Sequence, residues 1–119
     1  MKNIKSLLVM VAFLFCLSLS AQEIKPDFEK QGDLIKGTFY NEDGGISQEG
    51  TYKDGKLHGK WISYNENGKE VALANYEEGR KNGKWFFWSL DQLTEVDYDN
   101  NRIAEVIKYD YNRTLFSRN

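Results

Sequence analysis

A 119-residue chain with one histidine and one cysteine has few ways to assemble a reactive centre. His58 lies in the glycine-bracketed stretch Gly55-Lys56-Leu57-His58-Gly59. It has no second histidine to work with, and Cys16 sits in a segment expected to be removed, so neither a zinc site nor a Cys-His nucleophile can be built from the usual ligands. The reading is a solvated loop histidine. Asp97-Tyr98-Asp99-Asn100-Asn101 begins like a calcium loop with alternating oxygen ligands. Arg102 then stands where the sharp turn needs glycine, and Lys108 where a bidentate glutamate belongs. Acidic pairs such as Glu77-Glu78 fall in turn signals and read as solvated, and no spacing here sets two carboxylates across a cleft as glycoside hydrolysis requires. The expectation is therefore no catalytic residue, no metal and no cofactor. The rival is an envelope hydrolase or transferase acting through a pair such as Asp97 and Asp99, which would need a concave pocket holding perturbed titratable groups.

Two other groups could act by binding. Lys56 and Lys60 recur as Arg80 and Lys84, and with Lys81 these five are expected to line one edge of a sheet. There they would either meet lipid phosphates or acidic polysaccharide, or guard exposed strands against pairing with other chains. Trp85-Phe86-Phe87-Trp88 is four aromatics in a row, and because strand side chains alternate, both faces become apolar. One face joins the core. The other is either covered by the C-terminal run through Ile103, Val106 and Ile107 or left exposed as a binding surface. Trp61, Tyr64, Trp85, Phe87 and Trp88 are taken together as the contact face for a partner.

These residues are positioned by a repeat. Tyr40, Tyr64 and Trp88 are spaced 24 residues apart, and the same step relates Tyr52 to Tyr76, Gly44 to Gly68, Gly55 to Gly79, Gly59 to Gly83, and Trp61 to Trp85. A fixed period in this range marks an array of stacked units. In the best-formed unit a strand-like run ending at Tyr64 meets Asn65-Glu66-Asn67-Gly68, and a second run, Val71 to Tyr76, ends at Glu77-Glu78-Gly79. Asn67-Gly68 suits a type I′ turn, so the unit reads as a hairpin followed by another reversal. A degraded unit precedes it, with Asn41-Glu42-Asp43-Gly44-Gly45 as its turn. In the third unit Ser89-Leu90-Asp91-Gln92 replaces the turn signal, and Tyr98 onward matches with two residues deleted. Atypical end units are what an array needs in order to stop.

At the N-terminus, Lys2 and Lys5 precede the apolar run Leu7 to Leu17, and Ser18-Leu19-Ser20-Ala21 supplies small residues before Gln22. That is the pattern of a secretory signal peptide, and the run is shorter than the ~20 residues a bilayer span needs. Residues 1–21 are thus expected to be cleaved, leaving a polar leader over 22–33, a repeat domain over 34–111 and a polar tail over 112–119. Cleavage takes two lysines and no acid from a chain with 16 basic and 18 acidic residues, so the net charge moves from −2 to −4. A mildly acidic chain without cysteine makes neither disulfides nor a nucleic-acid interface.

The motif Tyr-x-x-Gly-x-x-x-Gly-x-Trp, present as Tyr52 to Trp61 and again as Tyr76 to Trp85, resembles the MORN repeat, specifically the bacterial MORN-2 type found in antitoxin-like proteins. The resemblance spans roughly residues 36 to 110. It implies an elongated, twisted antiparallel sheet of successive hairpins, and a role in protein interaction, scaffolding or lipid-headgroup binding. In bacteria the role extends to the antitoxin half of a toxin–antitoxin pair.

The sequence therefore leads to an exported, periplasmic or secreted, all-β protein of about three hairpin repeats. It is expected to bind a protein partner without catalysis, with a structural envelope scaffold or a binder of anionic lipid or polysaccharide surfaces as the alternative and self-association left open.

Overall fold

The computed structural model describes residues 24–111. The expected signal peptide over 1–21 and polar tail over 112–119 lie outside the described residues. Within them, strands run between turns the whole way: β1 (Asp27–Gln31), β2 (Leu34–Tyr40), β3 (Ile46–Lys53), β4 (Lys56–Tyr64), β5 (Glu70–Glu77), β6 (Arg80–Lys81), β7 (Gly83–Trp88), β8 (Gln92–Asp99) and β9 (Arg102–Asp110). They form one open antiparallel sheet in the order β1-β2-β3-β4-β5-β7-β8-β9, with β6 pairing β5 just before the chain resumes as β7. The expected all-β sheet of consecutive hairpins is what forms. The polar leader ends in an edge strand, β1, with Phe28 opposite Gly37.

The turns differ from expectation in an instructive way. Asn67-Gly68 does not form a type I′ turn, since only Gly68 has a positive φ, at 77°. Instead the Asn65 N–H donates to the Lys69 carbonyl at 2.8 Å and the Gly68 N–H to the Asn65 carbonyl at 3.0 Å. The Asn65 Oδ1 accepts from the Asn67 and Lys69 N–H groups, and Asn41 repeats the arrangement with Asp43 and Gly45. A wider loop closed by one left-handed glycine is thus held by an asparagine that satisfies its own backbone. Paired positive φ, the type I′ requirement, occurs at the opposite end of the sheet, at Asp54-Gly55, Glu78-Gly79 and Asn100-Asn101.

Packing follows one transverse row. The paired residues Phe28, Gly37, Gly50, Trp61 and Ala74, then Trp85, Val96 and Val106, cross the sheet on a single face. Large rings sit beside small neighbours. A Cβ on Gly50 would lie 2.2 Å from Trp61 Cδ2, so the indole rests directly on that backbone. Trp61 Nε1 donates to the Thr51 carbonyl at 3.1 Å, and Trp85 Nε1 to the Asn75 carbonyl at 2.8 Å, one repeat later. Tyr52 meets Trp61 edge-on at 5.2 Å between centroids, and Tyr76 meets Trp85 at 5.1 Å. Trp61, Ala74, Trp85 and Val96 are the buried apolar residues, and no side chain among the described residues is fully enclosed. Burying each indole this way contributes about 2–3 kcal/mol. The core is therefore a stripe along one face of a single layer.

Candidate functional site

Strand alternation splits the five residues expected to form one contact face. Trp61, Trp85 and Phe87 point to the face that carries the row of rings, Phe87 pairing with Ala72 and Thr94. Tyr64 and Trp88 point the other way: Tyr64 reaches Glu49 across the sheet, and Trp88 stacks on Phe86 at 6.1 Å. Trp61 and Trp85 are only 7% and 8% exposed, which makes them core. What the aromatic face offers to solvent is Phe28 (60%), Ile35 (46%), Phe87 (39%), Ile103 (61%) and Val106 (48%). The expected cover by Ile103, Val106 and Ile107 does not form, because β9 pairs edge to edge with β8 and extends the sheet. Counting the two deleted residues of the last unit aligns Ile103 with Lys81 but puts Ile107 at the place of Trp85, so the sequence could have found Ile103, whereas Val106 comes to that row only through the pairing of β9 with β8.

The five basic residues form no single edge either, since they stand on interior strands while β1 and β9 are the outer ones. Lys60, paired with Asn75, and Lys84, paired with Asp97, lie on the face opposite the rings, as do Lys56 and Arg80 beside the tight turns. Lys84 is bound to Glu95 at 3.0 Å and Arg80 to Glu78 at 3.8 Å. Lys81 alone of the five belongs to the aromatic face, where it pairs with Tyr76. Its Nζ lies 5.1 Å from the Trp85 ring centre and 5.3 Å from that of Tyr98.

The opposite face holds two carboxylates in matching surroundings. Glu49 accepts from Tyr64 Oη at 2.6 Å and faces Lys36 Nζ at 3.7 Å. Glu95 accepts from Tyr109 Oη at 2.9 Å and pairs with Lys84. The hydrogen bond to Glu49 pushes the Tyr64 hydroxyl up to about 12, and that to Glu95 raises Tyr109. Lys84 and then Tyr109 hold the Glu95 carboxyl below its ordinary value. Between the two carboxylates run Ile62, Leu73 and Phe86, on β4, β5 and β7. Four strand steps separate Glu49 from Glu95, about 19 Å at ~4.8 Å per step. The separation that a two-carboxylate glycosidase uses is about 5–9.5 Å.

The remaining candidates are engaged locally. His58 is a half-buried residue of β4 rather than a solvated loop histidine, and its Nδ1 accepts from the Glu78 N–H at 3.3 Å. Asn101, within the calcium-like stretch, uses its Oδ1 to accept from the Lys81 N–H at 2.9 Å. Asp97 lies on β8 opposite Glu105, with Lys84 on its other side. Among the described residues no three metal-ligating side chains cluster.

No protein-family model, curated protein or solved structure is significantly similar to this chain.

Proposed function

We propose that this protein is an exported, non-catalytic binding module that engages another protein through its aromatic face. The observation that carries this reading is that the face stands uncovered among the described residues. A sheet with one apolar face is ordinarily buried against a second layer. Here Phe28, Phe87, Ile103 and Val106 remain open to solvent around a stripe of packed rings. An exposed apolar surface of this kind marks an interaction site, and a flat sheet with carboxylates far apart suits contact better than chemistry. The repeated Tyr-x-x-Gly-x-x-x-Gly-x-Trp motif, read as MORN-like, supports the same role, and the N-terminal pattern supports export.

The test is affinity capture from an envelope extract of the source organism with the chain from Gln22 to Asn119. The parent is run beside Phe87→Ser on the aromatic face and Trp88→Ser on the opposite face. The expected result is a protein held by the parent and by Trp88→Ser but lost by a folded Phe87→Ser variant. Loss only in Trp88→Ser would move the site to the other face. No capture by any of the three, all folded, would favour a structural spacer.

A further inference from the structure

One position on the aromatic face departs from its repeat. The cross-strand pairs Tyr52–Leu57, Tyr76–Lys81 and Tyr98–Ile103 occupy the same place in the three successive units. The tyrosine is kept each time, while its partner is apolar in two units and lysine in the central one. A local break in an otherwise consistent pattern, left without an acidic partner, is where function is expected.

Two ring faces hold the charge, but no carboxylate in the described fold pairs with it. Lys36, Lys84 and Arg80 each have a carboxylate within 4.0 Å, whereas Lys81 forms no ion pair among the described residues. Its neighbours in the same transverse rows are Gly59, Tyr76, Gly83, Tyr98 and Ile103, and none is acidic. The ammonium is held by the faces of Trp85 and Tyr98, which orient a cation but accept none of its N–H groups in a full hydrogen bond. The backbone beneath it is clamped: the Lys81 N–H donates to Asn101 Oδ1, and its carbonyl accepts from the Asn101 N–H at 2.8 Å. Lys81 is thus a positioned donor set in an apolar surround.

We propose that Lys81 is the specificity-determining residue of the aromatic face and receives an Asp or Glu side chain from an amphipathic segment of a protein partner. This rests on the aromatic face being the binding surface. Charge complementarity selects a carboxylate, and the surrounding Tyr76, Tyr98 and Ile103 select apolar neighbours for it. An anionic bilayer is disfavoured because membrane recognition uses clusters of four or more cations, each adding about 1 kcal/mol. On this face the other lysines, Lys30 and Lys108, stand apart on the outer strands β1 and β9.

A displayed library of random 12-residue peptides, selected on the chain from Gln22 to Asn119, supplies the probes. Selected peptides are then titrated by fluorescence anisotropy against the parent, Lys81→Leu, Lys81→Arg and Phe87→Ser. Selected peptides should carry Asp or Glu beside large apolar residues. Lys81→Leu should weaken them about tenfold to a hundredfold, as expected for a charge-assisted contact. Changing the peptide acid to its amide should cost the same, with no further loss when both are changed. Lys81→Arg should retain most of the affinity, and Lys81→Leu should melt no lower than the parent, because Leu57 already fills the equivalent place.

Peptides that bind parent and Lys81→Leu equally but lose affinity for Phe87→Ser would overturn the role of Lys81 and leave the face. Peptides indifferent to Phe87→Ser, or no binders at all, would overturn the face itself. Binding to vesicles of 30% phosphatidylglycerol that depends on Lys81, without acid selection among the peptides, would replace the protein carboxylate by a lipid headgroup and so overturn the proposal.

Discussion

Replacing Gly50 with alanine isolates the contact on which the sheet's core is built. Gly50 has no left-handed backbone, so by itself an added methyl should restrict the unfolded chain and stabilise the protein by about 0.4–1 kcal/mol. The Trp61 ring reverses that sign. The new Cβ would stand 2.2, 2.4 and 2.5 Å from Cδ2, Cε2 and Cγ of the indole, so the ring must retreat by more than an ångström. Overpacking of this kind costs about 1–3 kcal/mol, and a retreating ring also weakens the Nε1 bond to Thr51, worth about 1 kcal/mol. Ala74, which takes the equivalent place beside Trp85, shows that the arrangement can be reset, which keeps the net loss near 2 kcal/mol. That corresponds to a melting temperature lower by about 8–16 °C. Urea unfolding followed by tryptophan fluorescence reads the change directly. In a Trp61→Val background the ring is absent, and Gly50→Ala should become neutral or stabilising, a coupling of about 2 kcal/mol. An unchanged or raised stability of Gly50→Ala in the parent, or strict additivity of the two changes, would refute the ring-on-glycine packing.

Three further outcomes follow from the geometry. Glu95 has a folded-state pKa below its unfolded value, so the unfolded chain binds more protons at low pH. The stability this gives is present above about pH 4.5 and is lost as the pH falls through the lowered value. In Glu95→Gln that part of the acid sensitivity should vanish from denaturation curves taken between pH 3 and 6. Absorbance titration at 295 nm should find one tyrosine ionising near 12, Tyr64, and Glu49→Gln should bring it back toward 10. Asn65→Ala removes the acceptor for two backbone N–H groups and should cost about 1–2 kcal/mol, measured by thermal melting, with Asn41→Ala similar.

The repeat was legible because it is written in side chains: tyrosine, glycine and tryptophan return at a fixed step, and so do their hydrogen bonds and ring contacts. The turns were legible as places but not as types. Asn67-Gly68 has type I′ composition, yet Asn65 captures the Asn67 and Lys69 N–H groups and imposes a wider loop. Faces were harder still. Trp85 and Trp88 are three residues apart on one strand, so they must point oppositely, and taking Trp61, Tyr64, Trp85, Phe87 and Trp88 as one contact face overrides that alternation. Lys56 and Lys60 return as Arg80 and Lys84, whereas Lys81 stands where Leu57 stood; Lys81 and Lys84 also fall on opposite faces, and which one lacks a carboxylate depends on how the strands pair. The uncovered state of the rings was not legible, because whether Ile103 and Val106 fold over a face or extend an edge depends on how β9 pairs.

The functional reading rests on the aromatic face being open in solution, and carbene footprinting of the purified chain from Gln22 to Asn119 tests that most directly. Phe28, Phe87, Ile103 and Val106 should label strongly while Trp61 and Trp85 stay nearly unlabelled, following their exposures in the sheet. Weak labelling of those four residues would mean that the face is already covered, by the chain itself or by a second copy, and would contradict the account.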